Sequence, residues 1–431
     1  MSFEGLTIGY SGLSHLGLVH AVASASKGLK IIARDSSVRK IKNLQNDHTD
    51  INEPSLTELL INNKKNLKFT TEVKDLLNCD IIFVSLDVET DISGKSELGF
   101  VRTCIDEILE VIDESCVLVI LSQIPPGFTR KINSKYSKFI IYCQVETLIF
   151  GEAIDRALFP ERFIVGCIEP NMKLNEKYHK FLKMFNCPVL PMLYESAELT
   201  KISINAFLAA SVTMSNTLAE ISEIIGANWS DVIPSLKLDK RIGHYSYVKP
   251  GLGLSGGNIE RDLHTIAQLG KKCGTHVNTV NAIIENSQHR KDWLWRIFKD
   301  TSIFEIKNSR IAVLGLSYKE NTSSIKNAPS LNFISKLSEY RVSVHDPVVK
   351  TALPNFVTFY EKIYDCIKDV DLLVIATPWQ DYKNLDLDKV KESMHGITII
   401  DPFELINYDL AREMGFLHIC LGKKLKKIVI S

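Results

Sequence analysis

Nine cysteines are spread along 431 residues without one CxxC pair, so neither a zinc site built on thiolate pairs nor a dithiol redox motif is written into the chain. Most fall in apolar runs, as Cys167 does in Phe163-Ile-Val-Gly-Cys-Ile. That placement reads as reduced core thiols and a cytoplasmic protein. Net charge is missing too: 51 Lys and Arg stand against 51 Asp and Glu. No domain-wide basic field is left to hold a nucleic acid. The basic run Lys423-Lys424-Leu425-Lys426-Lys427 reads as a solvated terminus. The N-terminal MSFEGLTIGY has neither the basic nor the apolar region of a signal peptide, and no apolar run is expected to reach the length of a membrane span. Nucleic acid, membrane and metal are therefore not among the expected partners.

What is present is a soluble enzyme's composition, 45% apolar and 24% charged, in a chain too long for one ordinary core. Buried-type strands alternate with helices at the start: Leu6–Ser11, Leu29–Asp35, Ile81–Ser85, Val117–Ser122 and Phe139–Cys143. A second series begins at Arg310–Gly315 and continues through Arg341–Asp346, Leu372–Thr377 and Ile397–Asp401. Apolar strands separated by helices predict doubly wound parallel sheets. Between the two series, Glu195 to about Ile225 contains no proline or glycine and reads as one long helix, with helical pattern continuing to about Phe298. The fold expected is α/β, two Rossmann-like domains (1–194 and 301–431) joined by a helical middle (195–300) with a spine helix.

Gly12-Leu-Ser-His-Leu-Gly17 follows the first strand and opens the first helix. It is a GxGxxG pattern with serine at the middle glycine. Gly12 permits the tight turn, Gly17 the close packing of helix on sheet, and the helix N-terminus a seat for a pyrophosphate. Asp35 ends the second strand, where a carboxylate accepts ribose hydroxyls and favours NAD over NADP. Gly12, Ser14, Leu16, Gly17, Asp35 and Ser122 are the cofactor-binding candidates. The plainer alternative is a Rossmann-shaped domain without cofactor. Gly315-Leu-Ser-Tyr is a similar turn with the remaining glycine gone, and it need not hold NAD. Further on, Pro250-Gly-Leu-Gly-Leu-Ser-Gly-Gly-Asn258-Ile-Glu-Arg-Asp262 is a glycine loop running into a helix. Asn258 and Asp262, four apart, share a face at its N-terminal end.

Together with this loop, Ser122-Gln-Ile-Pro-Pro-Gly, Phe159-Pro-Glu-Arg, Ala197-Glu-Leu-Thr-Lys201-Ile-Ser-Ile-Asn205, Arg241-Ile-Gly, Tyr318-Lys319-Glu-Asn-Thr and His345-Asp-Pro occur in an order and spacing that resemble the UDP-glucose/GDP-mannose dehydrogenase family. The resemblance implies oxidation of a nucleotide sugar at C6 by NAD. It implies that Lys201 and Asn205 stabilise an oxyanion or hold water, that Asp262 positions or deprotonates that water, and that Glu146 relays protons. It places Gly253 and Lys319 at the substrate, and Arg241 at the substrate of a neighbouring subunit in a homodimer. Against these stand plainer readings, a solvated lysine for Lys201 and a surface charge for Arg241. The apolar faces of the spine helix, with Leu199, Phe207, Met214 and Ile221, also favour pairing with a second copy.

The chain departs from the family where it matters most. The family's cysteine, whose thiohemiacetal carries the second oxidation, is Asn258 here, and an amide has no attacking electron pair. A glutamate of the family's PEFLREG run is Phe150, a Thr-Pro is absent from Ser85-Leu-Asp-Val, and an arginine is missing after Asp401. One expectation is a single hydride removal, giving an aldehyde or ketone or a net epimerisation. Others are a four-electron 6-dehydrogenase with another group, such as Cys143, replacing the thiol, and a non-catalytic nucleotide-sugar-binding protein. The base and the sugar are not legible.

Overall fold

The computed structural model describes residues 5–88 and 96–424; Leu425, Lys426 and Lys427 of the basic run lie outside them. The chain divides into two compact units, 1–204 and 205–431.

The first unit is built on an eight-stranded sheet: β1 Thr7–Ser11, β2 Lys30–Arg34, β3 Leu67–Thr70, β4 Ile81–Val84, β5 Val117–Ile120, β6 Ile140–Val145, β7 Phe163–Cys167 and β8 Val189–Leu193. Their order is β3-β2-β1-β4-β5-β6-β7-β8. All neighbours are parallel except β6 and β7. Successive side chains point to opposite faces, and both faces are covered. Ile81, Phe83, Val117 and Val119 enter one core, while Ile82, Val84, Leu118 and Ile120 enter another. This double burial is why these strands read as unbroken apolar runs rather than as alternation. The strand order reverses between β1 and β4, and a crevice at such a switch point is where doubly wound sheets bind ligands.

The second unit carries a six-stranded parallel sheet: β9 Arg310–Leu314, β10 Arg341–His345, β11 Val357–Phe359, β12 Leu372–Ile375, β13 Thr398–Ile400 and β14 Leu417–Ile419. Its order is β11-β10-β9-β12-β13-β14, the same winding as the first six strands of the other sheet. Ile311 and Val313 face one core, Ala312 and Leu314 the other. Before this sheet come the helices Trp229–Leu238, Asn258–Lys272, Asn278–Lys291 and Trp293–Lys299. The doubly wound α/β expectation holds in both sheets.

The spine helix runs Tyr194–Ile225. Its middle, Ile202 to Ala219, carries no charged residue, and by length and composition alone the helix could cross a membrane. That corrects the expectation that no segment reaches such a length. The same stretch buries Asn205, Thr213, Ser215 and Asn216, polar groups that suit contact with protein rather than lipid.

Candidate functional site

The turn after β1 is shaped by two glycines. Gly12 has φ +96°, and its amide donates to Arg34 O at 2.9 Å. A Cβ on Gly17 would lie 2.0 Å from Gly12 O and 2.6 Å from Ser85 Oγ. No side chain fits there, so the helix His15–Ser26 packs directly on the Gly12 backbone after β1 and on the Ser85 hydroxyl beyond β4. Ser14, in the place of the middle glycine, caps this helix by accepting from Gly17 N at 3.4 Å, and its hydroxyl donates to Ser85 O at 2.8 Å. Leu16 packs against the core beneath. At the end of β2, Asp35 is buried and braces the loop: Oδ2 accepts from Leu13 N at 2.8 Å and from Lys40 Nζ at 2.7 Å, and Oδ1 from Ser37 N at 3.0 Å. Ser122, beyond β5, donates to Leu86 O at 2.7 Å. The cradle fits a dinucleotide: a glycine turn opens the helix, and a carboxylate stands one strand away.

Two groups, Glu53 and Glu198, escaped the sequence reading. Glu53 is buried, and its carboxylate accepts from Gly151 N at 3.0 Å and Ala153 N at 2.7 Å while meeting His15 Nε2 at 2.8 Å. Phe150, the family's glutamate, lays its ring 4.3 Å from that of His15. Glu198 of the spine helix accepts from Gly127 N at 2.5 Å and Thr129 N at 2.8 Å, fixing the loop that follows Ser122. Burial pushes the Glu198 carboxyl above its ordinary value, and these amide bonds only partly offset it. Glu146 follows β6. Burial works against its charge, yet His20, Gln144 and Lys201 outweigh it and hold the carboxyl below its ordinary value. Lys201 and Glu146 are thus brought into electrostatic reach.

In the second unit, Asn205 Nδ2 donates to Asp262 Oδ2 at 2.5 Å, and Arg261 Nε lies 3.6 Å from Asp262 Oδ1. Asp262 is only 2% exposed. Asn258 is the first residue of the helix Asn258–Lys272 and is exposed. The loop before it is docked on the turn after β9: Gly256 N donates to Lys326 O at 3.1 Å, and Asn327 Nδ2 donates to Gly256 O at 3.0 Å. Glu260 ion-pairs with Lys291 and accepts from Asn327. Gly253 has φ +85°, and a Cβ there would meet Ser287 O at 2.7 Å. Lys319 stands half-buried in the same turn after β9. Arg241 does not join these groups; it is exposed and held by Asp239 at 2.7 Å. No role was assigned from the sequence to Lys326, Asn327, Glu260 and Lys291, which come from three separate stretches of the chain.

Cys143 cannot stand in for the missing thiol. It is buried in the sheet core, and burial together with the Glu198 charge pushes its thiol up to about 12. A thiol that far above neutrality supplies almost no thiolate. The turn after β9 repeats the first cradle: Gly315 has φ +101°, and Asp346 Oδ2 accepts from Leu316 N at 2.7 Å. The indole of Trp379 also donates to Asp346 Oδ2, at 3.2 Å.

Three profiles of one family match the chain in series. They are the NAD binding domain of the UDP-glucose/GDP-mannose dehydrogenase family over residues 6–185, its central domain over 195–288 and its UDP binding domain over 312–408. UDP-glucose 6-dehydrogenase TuaD of Bacillus subtilis is 29% identical, over 96% of this chain and 92% of that protein. The UDP-glucose 6-dehydrogenase of Rickettsia conorii is 26% identical, over 97% and 100%. Among solved structures, a UDP-glucose dehydrogenase from Pyrobaculum islandicum superposes with a TM-score of 0.85 at 22% identity, covering 99% of this chain and 100% of that one. A UDP-D-ManNAc dehydrogenase from Pyrococcus horikoshii gives 0.84 at 22%, covering 97% and 99%. At that identity the structural likeness establishes the fold.

Proposed function

Since the chain belongs to the UDP-glucose/GDP-mannose dehydrogenase family, a family of NAD-dependent oxidoreductases acting on CH–OH, we propose that it removes one hydride from an alcohol carbon of a UDP-linked hexose and releases the carbonyl product without proceeding to the acid. NAD, when bound, supplies the hydride acceptor. The alcohol loses a hydride from carbon and a proton from oxygen, leaving C=O, NADH and one proton. Gly12, Ser14, Leu16 and Gly17 would seat the dinucleotide, with Asp35 at the ribose and Ser122 at the far strand. Lys201 and Asn205, one helical turn apart, would stabilise the developing oxyanion. Asp262 orients Asn205, and Glu146 relays the proton. Gly253 and Lys319 would contact the nucleotide. The UDP binding domain and the names of the relatives support the substrate class.

The observation that carries this reading is the absence of a usable thiol. Asn258 occupies the nucleophile's position, and Cys143 is locked in a core. Among the described residues only Cys273 is exposed. It lies fifteen residues along the helix that Asn258 opens, about 22 Å away at 1.5 Å per residue. The test is NADH stoichiometry with UDP-glucose, UDP-N-acetylmannosamine and GDP-mannose. One NADH per sugar and a product two mass units lighter support the proposal; two NADH and a uronic acid refute it. Asn258→Cys is the companion experiment, and acid formation by that variant alone would trace the difference to this position.

We further propose the domain division 1–194, 195–300 and 301–431, a cytoplasmic location and a homodimer. The dimer rests on the spine helix, where Phe207 is 78% exposed and Met214, Ile221, Ile224 and Ile225 are exposed beside it. A patch of that kind marks an interface. Arg241, which solvent surrounds in the single chain, would then serve the partner's substrate.

A further inference from the structure

We propose that His20 is a positioning residue for Glu146, fixing its carboxylate from the first helix so that Glu146 can accept the proton of the substrate alcohol and hand it on. This rests on the reading of the chain as an alcohol oxidoreductase. His20 lies in the helix His15–Ser26 among Leu18, Val19, Ala21, Val22 and Ala23, every one of them buried. An apolar residue would suit that face. The chain instead buries an imidazole that is 7% exposed and whose Nε2 makes no hydrogen bond. That nitrogen lies 3.3 Å from Glu146 Oε2. A buried polar atom left without a bond is costly, so its direction is informative.

The other carboxylate oxygen is already assigned. Gln144 Nε2 donates to Glu146 Oε1 at 2.5 Å, and the Gln144 amide is itself oriented by Tyr178, whose hydroxyl donates to Gln144 Oε1 at 2.7 Å. Oε1 is therefore held by a fixed donor, and Oε2 faces His20. Among the described residues, Lys201 of the spine helix also acts on Glu146, and Tyr10 of β1, Tyr178 and Cys187 feel its charge. Lys201 adds the second cation. Burial would drive such a carboxyl towards its neutral form, and a neutral acid takes no proton. An imidazole 3.3 Å from Oε2 favours the carboxylate by its charge when it is protonated. In the step this serves, the C–H hydride leaves for NAD and the O–H proton moves to Glu146, directly or through one water. C=O forms, and Glu146 then releases the proton to water, with His20 Nε2 still 3.3 Å from Oε2.

The experiment uses the full chain labelled with 13C at the glutamate carboxyls. The Glu146 resonance is assigned by its loss in Glu146→Gln, and its titration midpoint is read in wild type, His20→Leu and His20→Asn. His20→Leu removes charge and donor together, and the midpoint is expected to rise by about one unit or more. His20→Asn keeps a donor without the charge, and an intermediate rise is expected. The acid limb of the kcat–pH profile should move up with the midpoint in both variants. A midpoint within about 0.3 unit of wild type in both overturns the proposal, as does a shifted midpoint with an unmoved acid limb. If the chain oxidises no nucleotide sugar, the functional reading fails by itself, and the carboxyl midpoint still decides whether His20 governs Glu146.

Discussion

Gly17→Ala tests whether the dinucleotide cradle depends on backbone contact between helix and sheet. The added methyl would start 2.0 Å from Gly12 O and 2.6 Å from Ser85 Oγ. An unstrained contact needs about 3.5 Å, so helix and turn must separate by about 1.5 Å or distort. Gly12 O cannot yield freely, because Ser85 Oγ donates to it at 2.9 Å and the Gly12 amide is tied to β2. Overpacking of this kind costs about 1–3 kcal/mol. The same displacement moves the helix amides off the pyrophosphate position, and misplacement by about 1 Å is worth about 100-fold in rate. Thermal melting with and without NAD, together with kcat/KM for NAD, reads both effects. Gly99→Ala is the control, since its Cβ would meet nothing within 4 Å. A Gly17→Ala chain that melts within a degree of the control and keeps NAD kinetics within twofold would refute the geometric argument.

Two further predictions follow from buried charge and exposed apolar surface. Burial raises the Glu198 carboxyl. The folded state therefore holds that proton more tightly than the unfolded chain, and this contribution to stability, full below the unfolded pKa, is lost as pH rises through the raised value. Glu198→Gln does not titrate, so it should gain stability relative to wild type as pH climbs from about 4.3, the ordinary glutamate value. Urea midpoints of both proteins from acid to neutral pH check this, and a gap that is constant or narrows in the other direction contradicts it. Phe207→Glu places a charge on the exposed face of the spine helix and should convert a dimer to monomer in sedimentation at micromolar concentration. A monomeric wild type, or a variant that stays dimeric, would remove the spine helix from the interface.

Much of the scaffold was legible because its signals are local. The β1–turn–helix–β2 unit shows itself as an apolar run, a glycine turn, a second apolar run and an acid, and the structure places Thr7–Ser11, Gly12, His15–Ser26, Lys30–Arg34 and Asp35 accordingly. The spine helix announces itself by lacking breakers. β8 was hidden because Pro191 interrupts it; among the described residues the strand pairs only with β7, and a sheet edge is where proline is tolerated. β3 is four residues long and half charged in its surroundings, too short for a pattern to emerge. Lys201, Asn205 and Asp262 stood out as candidates because each sits in a spaced motif. Glu53 could not: it stands beside a proline in a polar stretch, and its donors are Gly151 and Ala153, about a hundred residues away. His20 was hidden in an apolar helix, where nothing in the sequence shows which side chain faces a carboxylate.

The docking of Gly256 and Asn327 makes the asparagine at 258 a listener to its neighbour. The loop is stitched to the first turn of the C-terminal sheet by two backbone-centred bonds, and Glu260 extends the stitching one turn into the helix. Whatever shifts the Tyr318–Asn327 turn therefore drags the start of that helix along with it. The two segments are thus held as one piece, and position 258 starts its helix from a fixed end.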